Sequence, residues 1–589
     1  MLLRLRRVKR RRPQRVQLNP YQCRAIAVSG HCTILACPGS GKTTVLAKRA
    51  SNLLLNEPNG RLFAVTFTKD AASDLKKRIL AECLGAGNRI VVGTFHSLAY
   101  SQLKSYLRPL PKLINDGSRR ALLRRCYVQH ETEIPFENIA SIIDDAKSRL
   151  GVPVFKDEGV QNIYAEYCDI LKSENAMDFS DIILMAVRMM HERPETRLPG
   201  RWMLADELQD MDNGQMEWLL SHGRNGVEIT GVGDDDQSLY SFRSALGYEG
   251  LNTVTAQLSS TEMTLPINYR CPPNILGCAA KLIWHNKERA DKKIAAHKTV
   301  DGEFHILRCA DRFDEFDRMV QKIMAHKNDW AVLARTNTIL DSAEVALVGA
   351  GISCIRVGGK SIWEYSIGSV FMGLMRSVVD DSWTGVANVL VQFGLRSTLI
   401  NQHSKDTTET ESGCIDRLYS LKMMIEERKD SDSSASKAVN ALYHGFLAWN
   451  KCERKGMANL IIYGIAEHLS SVCKNEKQLK FLETLKSAVL KIPGSLKQKL
   501  TLIGMNLPDT REPPYVQLMT VHGSKGLEFE NVWIMAVEEG NLPHTDAREE
   551  DERRLLYVGM TRTKNRLILS SSIEDGMESR FLFEAGLAR

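Results

Sequence analysis

The sequence predicts an α/β fold built on parallel sheets. Short apolar runs of strand length end in polar loops, and helical segments follow those loops; residues 33–35, before the glycine-bearing loop at 36–44, are the first example. The pattern occurs in two regions, each interrupted by a long helical stretch, at 106–199 and at 386–499. Strands that alternate with helices are typical of parallel sheets, because each parallel connection needs a crossover. We therefore expect two parallel-sheet domains, each with a mainly helical insert.

Length and composition favour a folded protein without membrane spans. The 589 residues are 43% hydrophobic, yet no uninterrupted apolar run approaches the ~18 residues that a bilayer span requires. The 13 cysteines include no C-x-x-C pair, which suits a reducing compartment and argues against a structural zinc site or an iron–sulfur cluster. We expect a soluble cytoplasmic protein with no membrane partner.

Positive charge is concentrated in an N-terminal arm, residues 1–15. Eight lysines and arginines lie there without one acidic residue, so the net charge of +7 leaves the rest of the chain nearly neutral. Such an arm is either a solvated tail or a segment that adds non-specific phosphate contacts, or a nuclear-import signal in a eukaryote.

The segment 36–44 has the pattern of a phosphate-binding loop. It follows a predicted strand and leads into a predicted helix, so backbone N–H groups and the helix N-terminus can surround an anion. Lys42 would reach the terminal phosphates, and the hydroxyl of Thr43 would hold Mg²⁺. One position departs from the pattern, since Ala36 stands where the first glycine is expected.

A helix start precedes this loop. Asn19 followed by Pro20 predicts an N-cap with proline at the first helical position. Gln22 then lies one turn into the helix, where its amide offers a donor and an acceptor suited to the Hoogsteen edge of adenine. A glutamine at this position is otherwise an ordinary surface residue.

Two further strands are predicted to bring acidic and amide side chains to the same edge. The apolar run 202–205 ends in Asp206 and Glu207, and the run 227–232 leads to Gln237. In a nucleotide hydrolase Asp206 would hold Mg²⁺ through water and Glu207 would polarise the attacking water. Gln237 would sense the γ-phosphate. Ligands of open α/β sheets bind at the carboxyl ends of the strands, where these side chains should meet.

Loops after other predicted strands have residues suited to a single-stranded nucleic acid. Phe67 follows one strand, Thr94 and His96 follow the next, and Phe242 lies beyond Gln237. Aromatic rings stack on bases, while hydroxyl and N–H groups bind phosphates. Core packing is the alternative explanation for each of these residues, and from the sequence alone it is the favoured one for Phe67 and Phe95.

The second half of the chain repeats the strand–loop–helix pattern. Strand 330–334 ends in a polar loop, strand 516–520 leads into 521–529, and the helix before strand 566–570 ends in Arg562. An arginine there is a candidate arginine finger, although arginine-rich helices are mostly solvated.

Taken in order along the chain, these motifs resemble the UvrD/Rep family of superfamily 1 DNA helicases. The motifs extend from residue 18 to 566, and the most specific are 233–243, 521–529 and 557–562. The resemblance implies two RecA-like domains, ATP with Mg²⁺ between them, and 3′-to-5′ movement along single-stranded DNA. It also implies a location at the nucleoid, or in the nucleus only if the source is eukaryotic. The expected boundaries are 1–15 for the basic arm, 16–105 and 200–267 for the first RecA-like domain, 106–199 for its insert, 268–385 and 500–589 for the second, and 386–499 for its short insert.

The resemblance also assigns roles residue by residue. The expected ATP contacts are Gln22, Pro38, Gly39, Ser40, Gly41, Lys42, Thr43, Thr44, Tyr269, Arg270, Glu528 and Arg562. Hydrolysis is assigned to Lys42, Asp206, Glu207, Gln237, Arg270 and Arg562, with Thr43 and Asp206 at the Mg²⁺ ion. The DNA contacts are Thr66, Phe67, Thr94, His96, Phe242, Thr520 and His522. Within these sets Gln22 resembles the residue that recognises adenine, Tyr269 the residue that stacks on the base, and Glu528 the residue near the ribose.

Three features depart from the family pattern. Thr44 stands where many relatives have an arginine against adenine, and Phe242 stands where some have tryptophan. The second insert is shorter than is usual, so unwinding is less firmly implied than translocation. No segment that could be a fused nuclease follows the last strand, and we expect none.

The sequence leaves two classes of function open. The first is an ATP-dependent DNA helicase that acts at single-strand–duplex junctions. The second is a sensor or translocating subunit, stimulated by single-stranded DNA, in a larger repair, recombination or phage-defence complex. A non-enzymatic binding module would leave Asp206, Glu207 and Gln237 without a shared purpose. The sequence names neither the pathway, a protein loading partner nor the oligomeric state, and RNA stays open as a track.

Overall fold

The computed structural model describes residues 17–587 apart from 84, 150, 152, 242–243, 327–328, 365, 393–394, 396–399, 401–412, 428–432, 472, 474–475 and 505–515. The basic arm therefore lies outside the described residues. The described chain divides into two compact units, one up to residue 273 together with 283–299, the other of 274–282 together with 300 onwards. Among the helices described, none has the length and apolar character to cross a membrane.

The first unit contains a six-stranded parallel sheet and two small strand pairs. Its strands are β1 Cys32–Ala36, β2 Leu62–Thr66, β3 Ile90–Thr94, β4 Lys112–Leu113, β5 Ala176–Met177, β6 Trp202–Ala205, β7 Glu228–Gly233, β8 Thr261–Leu265, β9 Ile267–Asn268 and β10 Ala295–Ala296. The order in the main sheet is β3-β2-β6-β7-β1-β8, with every neighbouring pair parallel. The expected α/β fold with parallel sheets is confirmed.

Helices connect these strands and cover both faces of the sheet. They are α1 Pro20–Ala27, α2 Lys42–Asn56, α3 Lys69–Glu82, α4 Phe95–Tyr106, α5 Asp116–Gln129, α6 Phe136–Ser148, α7 Glu158–Ser173, α8 Asp181–Glu192, α9 Asn213–Arg224 and α10 Gly247–Leu258. Alternate residues of β2 enter different cores: Phe63 and Val65 pack on one face, Leu62 and Ala64 on the other. This is the two-residue period of a strand that is buried on both sides.

The predicted start of α1 is confirmed. Asn19 is the N-cap and Pro20 is the first helical residue. The side-chain oxygen of Asn19 accepts a hydrogen bond from the N–H of Gln22 at 2.8 Å, and the side-chain oxygen of Gln22 accepts one from the N–H of Asn19 at 3.1 Å. This reciprocal capping box orients Gln22 before any ligand is considered.

The second unit contains another six-stranded parallel sheet. Its strands are β11 Glu303–Cys309, β12 Trp330–Ala334, β13 Cys354–Arg356, β14 Val516–Thr520, β15 Phe529–Ile534 and β16 Thr563–Ser572. Their order is β11-β16-β15-β12-β14-β13, again with all neighbours parallel. The helices are α11 Pro273–Ile283, α12 Arg312–Ala325, α13 Asn337–Gly349, α14 Ser366–Asp380, α15 Trp383–Gln392, α16 Cys414–Glu427, α17 Ser433–Arg454, α18 Ala458–Ser470, α19 Glu476–Lys491, α20 Leu496–Gly504, α21 Glu549–Met560 and α22 Arg580–Glu584.

Helices α14 to α20 lie between β13 and β14 and share the core of the second sheet. Val332 and Leu518 of the sheet belong to the same buried apolar cluster as Phe371 and Phe446 of these helices. The helices and the sheet therefore share one hydrophobic core.

His222, in the last turn of α9, is a buried histidine held in its neutral form. Its Nε2 accepts a hydrogen bond from the N–H of Leu198 at 3.2 Å, so Nδ1 carries the proton and donates to the carbonyl oxygen of Trp218 at 2.7 Å. Burial lowers the pKa of His222 to about 4.

We expect this histidine to make the first unit sensitive to acid. In the unfolded chain a histidine has a pKa of about 6.5, so between about pH 6.5 and 4 the unfolded state binds the extra proton and the free energy of unfolding falls as the pH is lowered. The loss approaches about 3 kcal/mol below pH 4. Denaturant titrations from pH 7 to 4 should give a smaller pH slope for His222→Gln than for the wild type. His285→Gln, at an exposed position, should keep the wild-type slope; equal slopes for all three proteins would contradict the prediction.

Candidate functional site

The loop at 36–44 leaves β1 and enters α2 through two glycines in the left-handed region. Gly39 has φ +62° and Gly41 has φ +85°. A Cβ atom on Gly39 would lie 2.7 Å from the Cβ of Arg270, so backbone conformation and available space both require glycine there. Gly41 is the N-cap of α2 and makes no side-chain cap. The N–H groups of the first turn of α2 are therefore left for another acceptor, as an anion site needs.

Ser40 gives independent support for a ligand at this loop. Its hydroxyl is buried, with the residue 1% exposed, and no hydrogen-bond partner for it exists among the described residues. A buried hydroxyl without a partner is costly. An oxygen-rich ligand such as a phosphate would satisfy it.

Gln22 and Tyr269 approach the same loop. The side-chain amide of Gln22 donates to the carbonyl oxygen of Ser40 at 2.9 Å, so α1 is tied to the loop. The side-chain amide of Asn19 donates to the hydroxyl of Tyr269 at 2.7 Å. The two residues predicted to contact the adenine base are therefore brought together around Asn19.

Residues 268–270 pack directly on the phosphate loop. The side-chain amide of Asn268 donates to the carbonyl oxygen of Pro38 at 2.6 Å, and the N–H of Tyr269 donates to the carbonyl oxygen of Gly39 at 3.0 Å. These contacts lie within the first unit, although the sequence boundary expected residue 268 to begin the second domain. Arg270 therefore extends from the first unit.

An ion pair joins the ends of β1 and β6. The ammonium group of Lys42 donates to a carboxylate oxygen of Glu207 at 2.8 Å, and the side-chain amide of Gln209 donates to the same oxygen at 2.6 Å. The amide oxygen of Gln209 in turn accepts from the N–H of Asp234 at 3.0 Å. Side chains thus link the loops that follow β1, β6 and β7.

Glu207 adopts an unfavourable backbone conformation. Its φ is +57°, a left-handed value that costs a non-glycine residue about 1–2 kcal/mol. Such strain is typical of functional sites, where the surroundings enforce it. Here it turns the chain sharply after β6 and directs the carboxylate to Lys42.

Charge in this region favours a cation. Burial and the neighbouring Glu207 raise the pKa of Asp206 to about 7. Burial alone would lower the pKa of Lys42, but Glu207, Asp234 and Asp206 together raise it. Asp206 and Glu207 place two carboxylates near the single ammonium group of Lys42, and carboxylate and hydroxyl oxygens are the ligands that Mg²⁺ prefers. The carboxylate of Asp206 and the hydroxyl of Thr43, next to Lys42 in the sequence, are oxygen donors of the kind that such an ion takes.

Gln237 follows β7 in a short turn rich in aspartate. It is buried, and its side-chain amide donates to a carboxylate oxygen of Asp234. Asp234, Asp235 and Asp236 also contact Lys292, which sequence analysis did not single out. The three consecutive acidic residues after a buried strand could have indicated a cationic partner, because such a buried group needs a nearby positive charge.

The predicted DNA contacts of the first unit differ in exposure, since Thr66 is buried while Phe67, Thr94 and His96 are half-buried. The hydroxyl of Thr66 donates to the carbonyl oxygen of Thr68 at 3.0 Å, and that of Thr94 caps α4. The ring of Phe67 lies 5.4 Å from that of Phe95, centroid to centroid. The ring of His96 stacks on Phe179 at 3.9 Å and 15°. Phe242 lies outside the described residues.

Phe179 was missed by the sequence analysis. It is 54% exposed, and burial lowers the pKa of its partner His96 to about 4, so the stack is between neutral rings. The sequence feature that could have identified Phe179 is its position in a polar turn, between Asp178 and the acidic start of α8. An exposed ring supported from behind by a second ring is suited to stack on a base.

The second unit holds the remaining predicted residues. Nε of Arg562 donates to the carbonyl oxygen of Val558 at 3.0 Å, within a buried environment. Glu528 pairs with Lys564 at 2.8 Å. The hydroxyl of Thr520 accepts from the N–H of Gly523 at 3.1 Å, and burial lowers the pKa of His522 to about 4.

The fold and site of the first unit define a class of protein. A parallel sheet whose strand ends hold a glycine loop with lysine, an acidic pair and a glutamine is typical of nucleoside triphosphate hydrolases. Comparison with protein families narrows the class. Residues 18–249 match the UvrD/REP helicase N-terminal domain, and residues 263–378 and 399–574 match the UvrD-like helicase C-terminal domain. The chain belongs to the UvrD/Rep helicase family.

Individual relatives are similar over nearly their whole length. The chain is 27% identical to ATP-dependent DNA helicase Rep of Escherichia coli (strain K12), covering 94% of this chain and 90% of that protein. It is 25% identical to ATP-dependent DNA helicase PcrA of Bacillus subtilis (strain 168), covering 94% and 82%. It is 28% identical to DNA helicase II of Salmonella typhimurium, covering 94% and 84%.

Gly39→Ala should weaken nucleotide binding more than its backbone conformation explains. A left-handed alanine costs about 1–2 kcal/mol, and the contact with Arg270 adds about 1–3 kcal/mol of overpacking, so affinity for a fluorescent ATP analogue should fall about tenfold or more. Gly30→Ala is the matched control, since Gly30 has φ +76° and open space around its Cβ position. Equal affinities of the two variants would show that the contact with Arg270 has no effect.

Proposed function

We propose that this chain is an ATP-dependent DNA helicase that moves 3′ to 5′ along single-stranded DNA. The observation that carries the proposal is the Lys42–Glu207 ion pair of 2.8 Å, at the carboxyl edge of a parallel sheet in a chain of this family. The relatives named above are ATP-dependent DNA helicases by name, and the polarity fits the family.

The phosphates of ATP would be bound by the loop at 36–44. The N–H groups of the first turn of α2 and the hydroxyl of Ser40 donate to phosphate oxygens, and Lys42 neutralises their charge. Thr43 and Asp206 would hold Mg²⁺, which neutralises further charge on the phosphates when bound. Gln22 and Tyr269 would hold the base.

Glu207 would orient and polarise the attacking water. In the structure its carboxylate is bound by Lys42 and Gln209. When Lys42 turns to a phosphate, that carboxylate oxygen loses one donor and can accept a hydrogen bond from water instead. The ion pair therefore restrains the general base until the lysine is needed elsewhere. Gln237, Arg270, Arg562 and Glu528 would complete the nucleotide contacts.

Single-stranded DNA would be bound without sequence preference. We assign the stacking on bases to the rings of Phe67, His96, Phe179 and Phe242. The polar contacts to the backbone would come from Thr66, Thr94, Thr520 and His522. Stacking tolerates every base, and phosphate contacts contain no sequence information. Such a track suits single-strand–duplex junctions, where a loading partner would deliver the enzyme.

Substitution of either residue of the ion pair should strongly reduce ATP hydrolysis. We expect Lys42→Ala and Glu207→Gln to lower the DNA-stimulated kcat for ATP by about 100-fold or more, because each removes a group that acts on the transition state. Lys48 and Glu82 supply the control, since Lys48 in α2 pairs with Glu82 in α3 at 2.9 Å on the surface. Lys48→Ala and Glu82→Gln should keep wild-type kcat. If Lys42→Ala and Glu207→Gln retained it as well, the site assignment would be wrong.

Strand displacement on tailed duplexes tests both the direction of movement and whether the protein unwinds a duplex. We expect ATP-dependent displacement from a duplex with a 3′ single-stranded tail, and little from one with a 5′ tail, because the protein enters on the single strand and moves toward its 5′ end. RNA-tailed duplexes test the choice of track. Strong ATP hydrolysis stimulated by single strands, with displacement on neither DNA substrate, would instead favour a sensor or translocating subunit of a larger complex.

A further inference from the structure

Lys292 is a buried lysine surrounded by three carboxylates. It is 7% exposed, and its ammonium nitrogen lies 2.5 Å from carboxylate oxygens of Asp234 and Asp235 and 3.1 Å from one of Asp236. Oxygens of these three aspartates are close enough together to hold a metal ion. The lysine occupies the place that a cation would take among them.

The residues just before Lys292 bind the same aspartates. Arg289 donates two parallel hydrogen bonds to the carboxylate of Asp236, both of 2.9 Å, the bidentate arrangement that fixes a carboxylate most firmly. The N–H of Ala290 donates to Asp235 at 2.7 Å. All three carboxylates are therefore held by one short segment, which we call the brace, residues 289–297.

Electrostatics oppose the separation of these groups. Burial alone would lower the pKa of Lys292, but Asp234, Asp236 and Asp235 raise it well above its ordinary value. Burial alone would raise the pKa of Asp236. The positive charges of Lys292 and Arg289 have the larger effect and hold that pKa below its ordinary range. Both groups are charged at neutral pH, and each depends on the other, since a buried charge without its partner is strongly unfavourable.

The aspartates connect Lys292 to the residues assigned to hydrolysis. One carboxylate oxygen of Asp234 binds Lys292 and the other accepts from the side-chain amide of Gln237. The N–H of Asp234 donates to Gln209, which binds Glu207. In this series of contacts one residue, Asp234, therefore lies between Lys292 and Gln237. Two residues, Asp234 and Gln209, lie between Lys292 and Glu207.

The other end of the brace binds the loop that covers the phosphate site. β10 pairs with β9 in parallel, and the N–H of His297 donates to the carbonyl oxygen of Asn268 at 2.7 Å. The rings of His297 and Tyr269 lie 4.5 Å apart. One segment of nine residues thus contacts both the turn that holds Gln237 and the loop that holds Tyr269.

We propose that Lys292 is a positioning residue for ATP hydrolysis: its ammonium group holds the aspartates at 234–236, and through Asp234 it fixes the side-chain amide of Gln237. The inference rests on the proposed function of the site. Among the residues that the structure describes, Lys292 reaches the groups expected to touch ATP only through Asp234, so its loss should affect turnover far more than nucleotide affinity.

Steady-state ATP hydrolysis with saturating single-stranded DNA tests this role. We expect Lys292→Met to lower kcat about tenfold or more while KM and the affinity for a fluorescent ATP analogue change less than about threefold. Lys292→Arg keeps the charge and should recover much of the lost kcat. Lys499→Met is the matched control, because Lys499 is also buried but binds main-chain carbonyl oxygens within the second unit, and it should leave kcat unchanged.

A second variant guards against misfolding. Arg289 lies at the rim of the cluster, with its side chain 11% exposed, so Arg289→Met should fold and lower kcat in the same direction, by less. A loss of activity that reflects only a smaller folded fraction, with wild-type kcat for each nucleotide-binding molecule, would show a purely structural role and overturn the proposal. Wild-type kcat in both Lys292→Met and Arg289→Met would overturn it too, while leaving the proposed function intact. A wild-type protein without ATP hydrolysis would overturn both proposals.

Discussion

The ion pair between Lys42 and Glu207 is the contact on which the rest of the site depends. The two residues follow β1 and β6, which are not neighbours, since β7 lies between them. A bond of 2.8 Å across that gap is possible only because all three strands are parallel and end at the same edge. An antiparallel neighbour would carry its loop to the opposite edge. The parallel sheet is therefore the structural condition for assembling the site, and the buried apolar runs that build the sheet are its cause.

Several local features at this edge are unfavourable when each is considered alone. Glu207 has a left-handed backbone, the hydroxyl of Ser40 is buried without a partner among the described residues, and Asp206 has a raised pKa. Two of these features would be relieved by a bound ligand of the expected kind: an anion for Ser40 and a divalent cation for Asp206. Such features collect where function requires them, and the cores on both faces of the sheet hold the surroundings in place.

Sequence patterns predicted the interior of the sheets better than their edges. β1, β2, β6 and β7 are apolar runs buried on both faces, and these runs were recognised. β8 and β11 lie at sheet edges, where one side faces solvent or a loop, so polar residues interrupt the apolar signal; β13, at another edge, is only three residues long. Local features such as the N-cap of α1 could also be predicted from the sequence. The roles of Lys292 and Phe179 could not be predicted, because each depends on residues far away in the sequence.

The buried cluster around Lys292 is better explained by geometry than by stability. Replacing a buried ion pair with apolar side chains of similar volume is often neutral or stabilising, because desolvation of the charges offsets their attraction. A hydrophobic core at 234–236 would therefore fold at least as well, but it would hold the turn only by shape. Hydrogen-bonded charges fix direction as well as distance, and here they fix the two oxygens of Asp234 toward Lys292 and Gln237. A site that must hold the side-chain amide of Gln237 in one orientation therefore needs these hydrogen-bonded charges, because an apolar core does not fix the direction of an amide.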